Sequence, residues 1–358
     1  MFKRKNIFIC PLSWGLGHAA RCVPIIKILL KNDCNVYLGA SGNAYHYLHS
    51  MFPELTIVWF EDYNIKFTRG KHFIAKILIQ TPKIFLRIYL EHYRLKKLIR
   101  NYDFDAIISD NRFGLWNRKI KSAYITHQIH IKYPGKNKLA EYLFFKTHQY
   151  FIKKYDQCWI PDLAGDFKLA GDLSASRVSD NAIYIGTLSR LKKSEGTISK
   201  DFDLCVIISG PEPQRTIFQS IIINQLRASQ KSAVVMLGQP SDIINYKSED
   251  NIHIFDSPTV EEMIEYIERS EVVIARSGYS TLMDLACLNK KAVLVPTPGQ
   301  IEQEYLADYL SSKNIYFSMS QNDFNLSKAL EKVKGTTGIS ISMQSDLLER
   351  VILQFIKD

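Results

Sequence analysis

The sequence predicts an α/β protein of two doubly wound domains, each with a parallel sheet covered by helices on both faces. Short runs rich in Val and Ile alternate with longer amphipathic stretches along the whole chain, a pattern typical of such sheets. The pattern restarts after Ile183-Tyr184-Ile185-Gly186, and 358 residues suffice for two domains of ordinary size. We expect an interdomain cleft along the carboxyl ends of both sheets, where such folds bind ligands.

The individual elements follow from the spacing of apolar residues. In the first half, strands are predicted at 6–10, 35–40, 56–60, 105–109 and 122–126, with helices at 19–31, 83–101 and 138–154. In the second half, strands are predicted at 204–209, 233–237, 272–275 and 292–296, with helices at 214–229, 259–269, 279–288 and 302–311. The polar stretch 191–197 is typical of a linker. The predicted domains are therefore 1–187 and 188–358, with the last helix expected to return to the first domain.

The composition of the chain predicts a cytoplasmic protein. Hydrophobic residues make up 46% and charged residues 23%, as in a globular protein. The basic start is followed by an apolar run that ends at Pro11, which is too short for a signal peptide or a membrane span. The six cysteines are scattered without a Cys-x-x-Cys pair, which argues against a zinc site or a disulfide framework.

Charge is distributed unevenly along the chain. Residues 1–186 contain 28 Lys and Arg against 14 Asp and Glu, whereas residues 187–358 contain 18 against 22. A basic first half indicates an anionic partner, which could be nucleic acid, a lipid surface or a phosphorylated substrate.

The first informative loop is Ser13-Trp14-Gly15-Leu16-Gly17-His18, between a predicted strand and a predicted helix. Glycines let a backbone approach a ligand closely, and amides at a helix start attract anions. A dinucleotide fingerprint is incomplete because Ala20 stands where a third glycine is needed. His18 is our candidate general base, since imidazole accepts a proton near neutral pH. The alternative is a structural turn with an incidental histidine.

Two loops in the second half suit a nucleotide-linked sugar. Ser277, Gly278, Ser280 and Thr281 place hydroxyls and amides at the start of a predicted helix, which favours a diphosphate, and Asp284 follows as a candidate for the ribose diol. The loop after the next strand leads into a helix whose first turn can bind sugar hydroxyls through Gln300, Glu302, Gln303 and Glu304. The alternative for both is a well-capped surface helix.

These motifs resemble the donor-binding half of the MurG-like glycosyltransferases, which include the enzyme that transfers N-acetylglucosamine from UDP-N-acetylglucosamine to a lipid-linked sugar of peptidoglycan. Arg276-Ser277-Gly278 matches the family turn that contacts the diphosphate and ribose. Asp284 stands where the family often has Glu, and Gln303-Glu304 stands where it has Gln-Gln. The resemblance implies the GT-B fold of two Rossmann-like domains and an inverting transfer from a UDP-sugar.

The resemblance extends to the rest of the chain. Ser13 to His18 stands where the family has a Gly-rich loop ending in His, and Thr126-His127-Gln128 resembles its His-Glu-Gln segment. Ser209-Gly210-Pro211 replaces its Gly-Gly-Ser loop, and Gly186 and Arg190 match its interdomain segment. Ser109-Asp110-Asn111-Arg112 points to an uncharacterised bacterial branch. The resemblance implies donor contacts from Arg190, Ser209, Gly210, Arg276, Ser277, Gly278, Ser280, Thr281, Asp284, Gln300, Gln303 and Glu304, and acceptor contacts from Gly15, Gly17, Asn111, Arg112, His127 and Gln128.

We expect no metal cofactor. Asp103-Phe104-Asp105 has the spacing of an Asp-x-Asp motif but leads into a strand, so helix amides and basic groups are expected to stabilise the leaving diphosphate. Two other functions remain open, a non-hydrolysing UDP-sugar epimerase and a non-catalytic protein that binds nucleotide-sugars or lipid. A general base at His18 favours the transferase over the binding protein.

A basic region with aromatic residues predicts contact with a membrane. Residues 66–100 contain ten Lys and Arg and one acid, Glu91, and residues 112–154 again contain one acid, Glu141. Such a surface can lie on anionic lipid beside a lipid-linked acceptor, at the inner face of the cell membrane. The alternatives are a solvated helix face and nucleic-acid binding, although no nucleic-acid motif accompanies the charge.

Overall fold

The computed structural model describes residues 4–63, 73–131, 138–175, 180–238, 246–341 and 344–357, and the side chains of these residues except 73–79, 138, 140 and 345. The chain divides into two compact units, each with its own sheet. The first unit comprises Met1–Leu188 and Gln344–Asp358, and the second comprises Ser189–Met343.

The first unit contains a seven-stranded sheet in the order β3-β2-β1-β4-β5-β6-β7, with every pair parallel. Its strands are β1 Asn6–Pro11, β2 Asn35–Ala40, β3 Thr56–Trp59, β4 Ala106–Asp110, β5 Lys121–Ile125, β6 Gln157–Ile160 and β7 Ala182–Tyr184. Its helices are α1 Leu16–Lys31, α2 Gly42–Met51, α3 Phe73–Tyr102, α4 Lys138–Ile152, α5 Asp172–Ala175 and, from the chain end, α11 Ser345–Lys357. All five residues of β4 are buried, as expected for a strand covered on both faces.

The second unit repeats this arrangement around the order β10-β11-β9-β8-β12-β13-β14, in which the β10–β11 pair is antiparallel. Its strands are β8 Phe202–Ile207, β9 Ala233–Met236, β10 Tyr246–Glu249, β11 Ile252–Phe255, β12 Ser270–Ala275, β13 Lys291–Leu294 and β14 Phe317–Ser318. Its helices are α6 Gln214–Arg227, α7 Val260–Arg269, α8 Tyr279–Cys287, α9 Ile301–Ser312 and α10 Leu326–Val333. The predicted α/β class with two doubly wound sheets is confirmed.

In both sheets the strand order reverses beside the first strand of the unit, between β1 and β4 and between β8 and β12. Parallel strands at such a reversal send their connections to opposite faces, which leaves a crevice at their carboxyl ends. The loop after β1 leads directly to His18 in the first turn of α1, and the loops after β8 and β12 carry Gly210 and Arg276. The topology therefore places the predicted motifs where open α/β sheets bind ligands.

Local sequence explains several helix boundaries. Gly15, with φ of 78°, precedes α1, so this helix begins three residues before the predicted start. Thr259 caps α7 by accepting a hydrogen bond from Glu262 N, and the Glu262 carboxylate accepts one from Thr259 N. Helix α3 begins ten residues before its predicted start and contains Pro82. The short strands β6, β7, β10, β11 and β14, which lie at or next to a sheet edge, were not predicted, because a run of two to four residues carries little periodic signal.

The last helix is part of the first unit. Glu349 on α11 accepts hydrogen bonds from Lys31 Nζ at 3.1 Å and from Asn32 Nδ2 at 3.2 Å, at the end of α1. The ring of Phe355 packs edge-on against Trp159 of β6, with the ring centroids 5.2 Å apart. These contacts fix the chain end on the first sheet.

A buried ion pair holds α3 against the strand ends of the first unit. Arg112 is fully buried and donates from Nε to Glu91 Oε1 at 2.6 Å. Glu91 Oε2 accepts from the hydroxyl of Tyr63 and from Gly114 N, both at 2.7 Å. Because every charge in this cluster has a partner, the cluster meets the condition under which buried ions are tolerated.

Acid should destabilise the first unit through His148. This α4 side chain is buried against Phe113 and Tyr124, and burial lowers its pKa to about 4. An unfolded histidine has a pKa of about 6.5, so the unfolded chain binds the proton more tightly between these values, and stability falls as the pH drops through that window. The loss should approach about 3 kcal/mol, at roughly 1.4 kcal/mol per pH unit.

Urea unfolding between pH 7 and 4 measures this effect. His148→Phe should flatten the pH dependence, whereas substitution of the exposed His46 by Gln should leave it unchanged. An unaltered pH dependence in the His148 variant would show that other groups cause the acid sensitivity.

Candidate active site

His18 lies in the first turn of α1, at the carboxyl end of the first sheet. Its Nδ1 is 3.0 Å from Oδ1 of Asp110, the last residue of β4. Pro11, the last residue of β1, pairs with Asp110 in register, which brings the loop after β1 beside this carboxylate. His18 is partly exposed, whereas Asp110 is fully buried. The histidine therefore has one ring nitrogen fixed inside the protein.

The ionised form of Asp110 is strongly favoured. Burial by itself would raise the pKa of this carboxyl, but the charges of Arg21 and His18 and their hydrogen bonds hold it well below its usual range. Arg21 donates from Nε to Oδ2 at 2.6 Å and from Nη2 to Oδ1. An ionised carboxylate only accepts hydrogen bonds, so the proton between His18 and Asp110 belongs to Nδ1 of His18. The lone pair of the neutral ring is then on Nε2, as general-base chemistry requires.

His127 belongs to the same cluster. It follows β5, the neighbour of β4, and its Nδ1 lies 3.0 Å from Nη1 of Arg21. Gln128 is the next residue that we predicted to bind the acceptor substrate. Its backbone N–H donates a hydrogen bond to Thr126 Oγ1 at 3.1 Å. The structure thus links His18 to His127 through Asp110 and Arg21, two residues that we did not predict for the site. The spacing His18-x-x-Arg21 on one helix face was the available signal for Arg21.

Two predicted acceptor residues have internal partners. Asn111, with φ of 60°, accepts a hydrogen bond from the Tyr124 hydroxyl at 3.0 Å. Arg112, besides its bond to Glu91, donates to the carbonyl of Glu61 and lies 4.9 Å above the Phe60 ring. The complete burial of Arg112 speaks against direct contact with an acceptor. We assign it to the support of α3 instead.

Arg276 connects the loops at the carboxyl end of the second sheet through its hydrogen bonds. It donates to the carbonyls of Val295 at 3.1 Å, Pro296 at 3.2 Å and Gln214 at 3.0 Å, and to Gln321 Oε1 at 2.6 Å. Among the described residues, every hydrogen bond found for this guanidinium goes to a neutral oxygen. Burial lowers its pKa to about 10, so it is charged at neutral pH. Its positive charge is therefore available to stabilise an anion at this edge.

The starts of α8 and α9 lie next to each other. Ser277 Oγ donates to the carbonyl of Gln303 at 2.7 Å, and a Cβ on Gly278 would come within 4.0 Å of Gln303 Nε2. Ser280 and Thr281 are in the first turn of α8. The positive ends of two helix dipoles thus meet near the loop that carries Ser209 and Gly210, where Gly210 has a φ of 106°. Thr297 Oγ1, 3.4 Å from a Cβ on Gly210, also belongs to this region.

Asp284 is directed toward the beginning of the second unit. Its Oδ1 accepts a hydrogen bond from Ser189 Oγ at 2.6 Å. Burial raises the pKa of Asp284 to about 6, against the opposing effects of Arg190 and of that hydrogen bond. Arg190 donates from Nη2 to Met263 Sδ at 3.2 Å. Asp284, which we predicted to bind the ribose, therefore has one carboxylate oxygen hydrogen-bonded to a serine that precedes the second sheet.

The polar residues at the start of α9 shape the loop before it. Gln303 Oε1 accepts from Thr297 N at 2.9 Å, and its Nε2 donates to Gln300 Oε1 at 2.6 Å. Glu304 Oε1 accepts from Gly299 N at 2.8 Å. Gln300, Gln303 and Glu304 therefore hold the Pro–Gly loop in one conformation, whether or not they also contact a sugar.

The described part of the chain holds no group of three or more His, Cys, Asp or Glu side chains arranged for a metal ion. Asp103 and Asp105, which have the Asp-x-Asp spacing, precede β4, at the edge of the sheet opposite His18. Asp105 Oδ2 accepts a hydrogen bond from Asn6 N at 2.8 Å, which supports a structural role for that pair.

Helices α3 and α4 present apolar side chains to solvent. Phe85 of α3 packs on Phe151 of α4 with centroids 6.1 Å apart. We use the name aromatic–basic surface for the following exposed residues of these two helices: Leu86, Tyr89, Leu90, Tyr93, Tyr142, Leu143 and Tyr150 with Lys96, Lys97 and Lys146. Residues 64–72 and 132–137 of the predicted basic region lie outside the described residues. Where the chain is described, none of its helices is long and apolar enough to span a bilayer.

Comparison with known proteins finds relatives among the glycosyltransferases. Residues 219–338 match the glycosyltransferase family 28 C-terminal domain. An uncharacterized glycosyltransferase of Methanopyrus kandleri is 20% identical over 82% of this chain and 86% of its own. The UDP-N-acetylglucosamine–N-acetylmuramyl-(pentapeptide) pyrophosphoryl-undecaprenol N-acetylglucosamine transferase of Buchnera aphidicola is 22% identical over 84% and 80%.

Solved structures show the same fold. The crystal structure of Acinetobacter baumannii MurG superposes with a TM-score of 0.55 at 12% identity, covering 99% of this chain and 100% of that one. The predicted resemblance to MurG-like glycosyltransferases and the predicted GT-B fold are both confirmed. The matching domain, the relatives along most of the chain and the two-sheet architecture together show that this protein is a glycosyltransferase of the GT-B fold, in which residues 219–338 match the family 28 C-terminal domain.

Proposed function

We propose that this glycosyltransferase transfers a sugar from a UDP-sugar to a hydroxyl group of a lipid-linked or cell-envelope acceptor, with inversion and without a metal. The observation that carries the proposal is the pairing of His18 Nδ1 with the buried carboxylate of Asp110 at the topological switch of the first sheet. The activity for which the Buchnera aphidicola relative is named supports N-acetylglucosamine or a related hexose as the sugar.

In this mechanism the acceptor hydroxyl binds over Gly15, Gly17 and His18. Nε2 of His18 takes the hydroxyl proton while the acceptor oxygen forms a bond to the anomeric carbon and the bond from that carbon to the UDP oxygen breaks. The resulting imidazolium is stabilised by the Asp110 carboxylate that already accepts its Nδ1 proton. One attack from the face opposite the leaving group inverts the anomeric configuration.

The second unit supplies the electrostatics for the leaving UDP. Its diphosphate would bind at the adjoining helix starts of α8 and α9, with Ser209, Gly210, Ser277 and Gly278 nearby and the buried charge of Arg276 behind them. Donors that are already oriented toward the developing charge need no reorganisation during the reaction. Asp284 and Arg190 would bind the ribose, and Gln300, Gln303 and Glu304 the sugar.

The aromatic–basic surface supports a peripheral position at the inner face of the cell membrane. The one acid of residues 66–100, Glu91, is buried in its ion pair with Arg112, so the solvent-facing charges of α3 that remain are basic. Exposed rings beside lysines suit the interface of an anionic bilayer, where rings bury apolar area and lysines meet phosphates. A lipid-linked acceptor would be reached from that position.

The first prediction for this function concerns the base. His18→Ala should reduce turnover by about 10²–10⁴-fold, the usual contribution of a general base, and leave UDP affinity nearly unchanged. Asp110→Asn should be comparably damaging, because a neutral amide no longer fixes the proton on Nδ1. Initial rates of UDP release from UDP-N-acetylglucosamine, with calorimetry for UDP, measure both effects. Full turnover in the His18 variant would remove this residue from the mechanism.

A second prediction concerns the ribose contact. Asp284→Asn should weaken UDP binding by roughly 1–3 kcal/mol, the scale for hydrogen bonds to a charged group. Ser189→Ala is the matched control, since it removes the internal partner of Asp284 and keeps the carboxylate. Because burial raises the pKa of Asp284 to about 6, wild-type affinity should also decline as the pH falls below that value. Equal UDP affinity in wild type and the Asn variant would disprove the placement of the ribose.

Activity should survive treatment with EDTA, because helix amides and Arg276 take the role that a metal has in other transferases. The measurement is the rate of UDP release before and after chelation, with added Mn²⁺ as the comparison. Loss with EDTA and recovery with Mn²⁺ would contradict this part of the mechanism.

Binding to anionic vesicles should depend on the aromatic–basic surface and weaken with salt. Lys96→Glu/Lys97→Glu and Leu86→Ser/Tyr89→Ser should each reduce sedimentation with phosphatidylserine vesicles and keep UDP affinity. Arg87 and Arg94 are unsuitable for this test because they bond to Glu61 and to the Trp59 carbonyl. Ile217→Ser, on the exposed face of the second unit, is the matched control. If the wild-type protein does not bind these vesicles at low salt, the result would favour a surface that is only solvated.

A further inference from the structure

Arg21 connects two histidines of the first unit, His18 and His127. It lies one helical turn after His18 and is 2% exposed. Its Nε and Nη2 donate to the two oxygens of Asp110, and its Nη1 lies 3.0 Å from Nδ1 of His127. A single guanidinium therefore bridges the carboxylate that holds His18 and the ring of a second histidine.

Hydrogen-bond direction fixes where the protons of these rings are. A guanidinium has only donors, so the His127 nitrogen that faces it is an acceptor without a proton. The proton of the neutral His127 ring is then on Nε2. His18 is the reverse case, since its Nδ1 faces an acceptor-only carboxylate and carries the proton. The two histidines consequently have opposite tautomers.

Both assignments depend on Arg21. A carboxylate as buried as Asp110 would lose its charge without a cationic partner, and a protonated Asp110 could donate to His18 instead of accepting. The same cation, through Nη1, excludes a proton from His127 Nδ1. Asp110 ends β4 and His127 follows the neighbouring strand β5, so a shorter or single-headed side chain cannot hold both with this geometry.

We propose that Arg21 is a positioning residue that sets opposite tautomers in His18 and His127, so that His18 accepts a proton through Nε2 and His127 offers a hydrogen-bond donor at its own Nε2. The consequence for catalysis rests on the proposed function, whereas the tautomers are properties of the free protein. Of the two histidines at this edge, the arrangement selects His18 as the base.

The test is long-range ¹H–¹⁵N correlation NMR on the full chain, labelled at its histidines and recorded without substrate above the ordinary titration range of imidazole. The two resonances are assigned with His18→Gln and His127→Gln. We expect a protonated Nδ1 in His18 and a protonated Nε2 in His127. The same tautomer in both rings, or a doubly protonated His127, would overturn the proposal without any variant of Arg21.

Variants of Arg21 test the cause. In Arg21→Met, neither His18 nor His127 should keep a single fixed tautomer. Turnover should fall by about 10²-fold with unchanged KM for the UDP-sugar. Arg21→Lys, with one donor group, should keep the fixed tautomer in one ring and lose it in the other, with a smaller loss of turnover. Arg112→Met is the matched control, because it removes an equally buried arginine that has its own carboxylate partner, and should leave both tautomers as in wild type.

Comparable tautomer changes in the Arg112 variant would mean that general loosening of the unit is responsible, and would overturn the role of Arg21. If Arg21→Met does not fold, Arg21→Lys, which keeps the positive charge, tests the cause, and the wild-type spectrum tests the tautomers themselves. The expected tautomers in a protein that binds no UDP-sugar in calorimetry would leave this inference standing and disprove the proposed function.

Discussion

Parallel pairing at the centre of each sheet is the constraint on which both halves of the candidate site depend. Because β1 and β4 run in the same direction and are paired up to their last residues, the loop that begins α1 must lie beside the carboxylate at the end of β4. The pairing of β8 with β12 has the same effect in the second unit, where it brings Ser209 and Arg276 to one edge. Residues about 70 to 90 positions apart meet for this reason alone.

Buried charges have different partners at the carboxyl ends of the two sheets. In the first unit, Asp110 and Glu91 each have an arginine, so the charges are balanced and the side chains are fixed in position. In the second unit, Arg276 donates to neutral carbonyl and amide oxygens, which retains a net positive charge beside two helix starts. A balanced edge suits the orientation of a base, and a positive edge suits a leaving diphosphate.

Helix α3 connects the aromatic–basic surface to the loop that precedes His18. Ile88 on the inner face of α3 packs with Tyr63 and with Leu12, which directly precedes the loop that carries His18. Glu91, one turn further, holds the segment after β4 through Arg112 and Gly114. The helix that presents rings to solvent therefore also supports Leu12 and the segment Arg112 to Gly114, which follow the two strands that end beside the His18–Asp110 pair.

The sequence by itself determined the α/β class, the alternation of strands and helices, and the loops that carry His18, Gly210 and Arg276, because period-two and helical spacing, glycines and helix-start residues are local signals. Only the tertiary structure decided the partners of those residues. Asp110 meets His18 across 92 positions, and Arg21 meets His127 across 106. Arg112, two residues after Asp110, has a different role because it follows the end of β4 and its guanidinium pairs with Glu91 of α3. Burial and charge compensation act between distant segments, so they become defined only when the sheet is assembled.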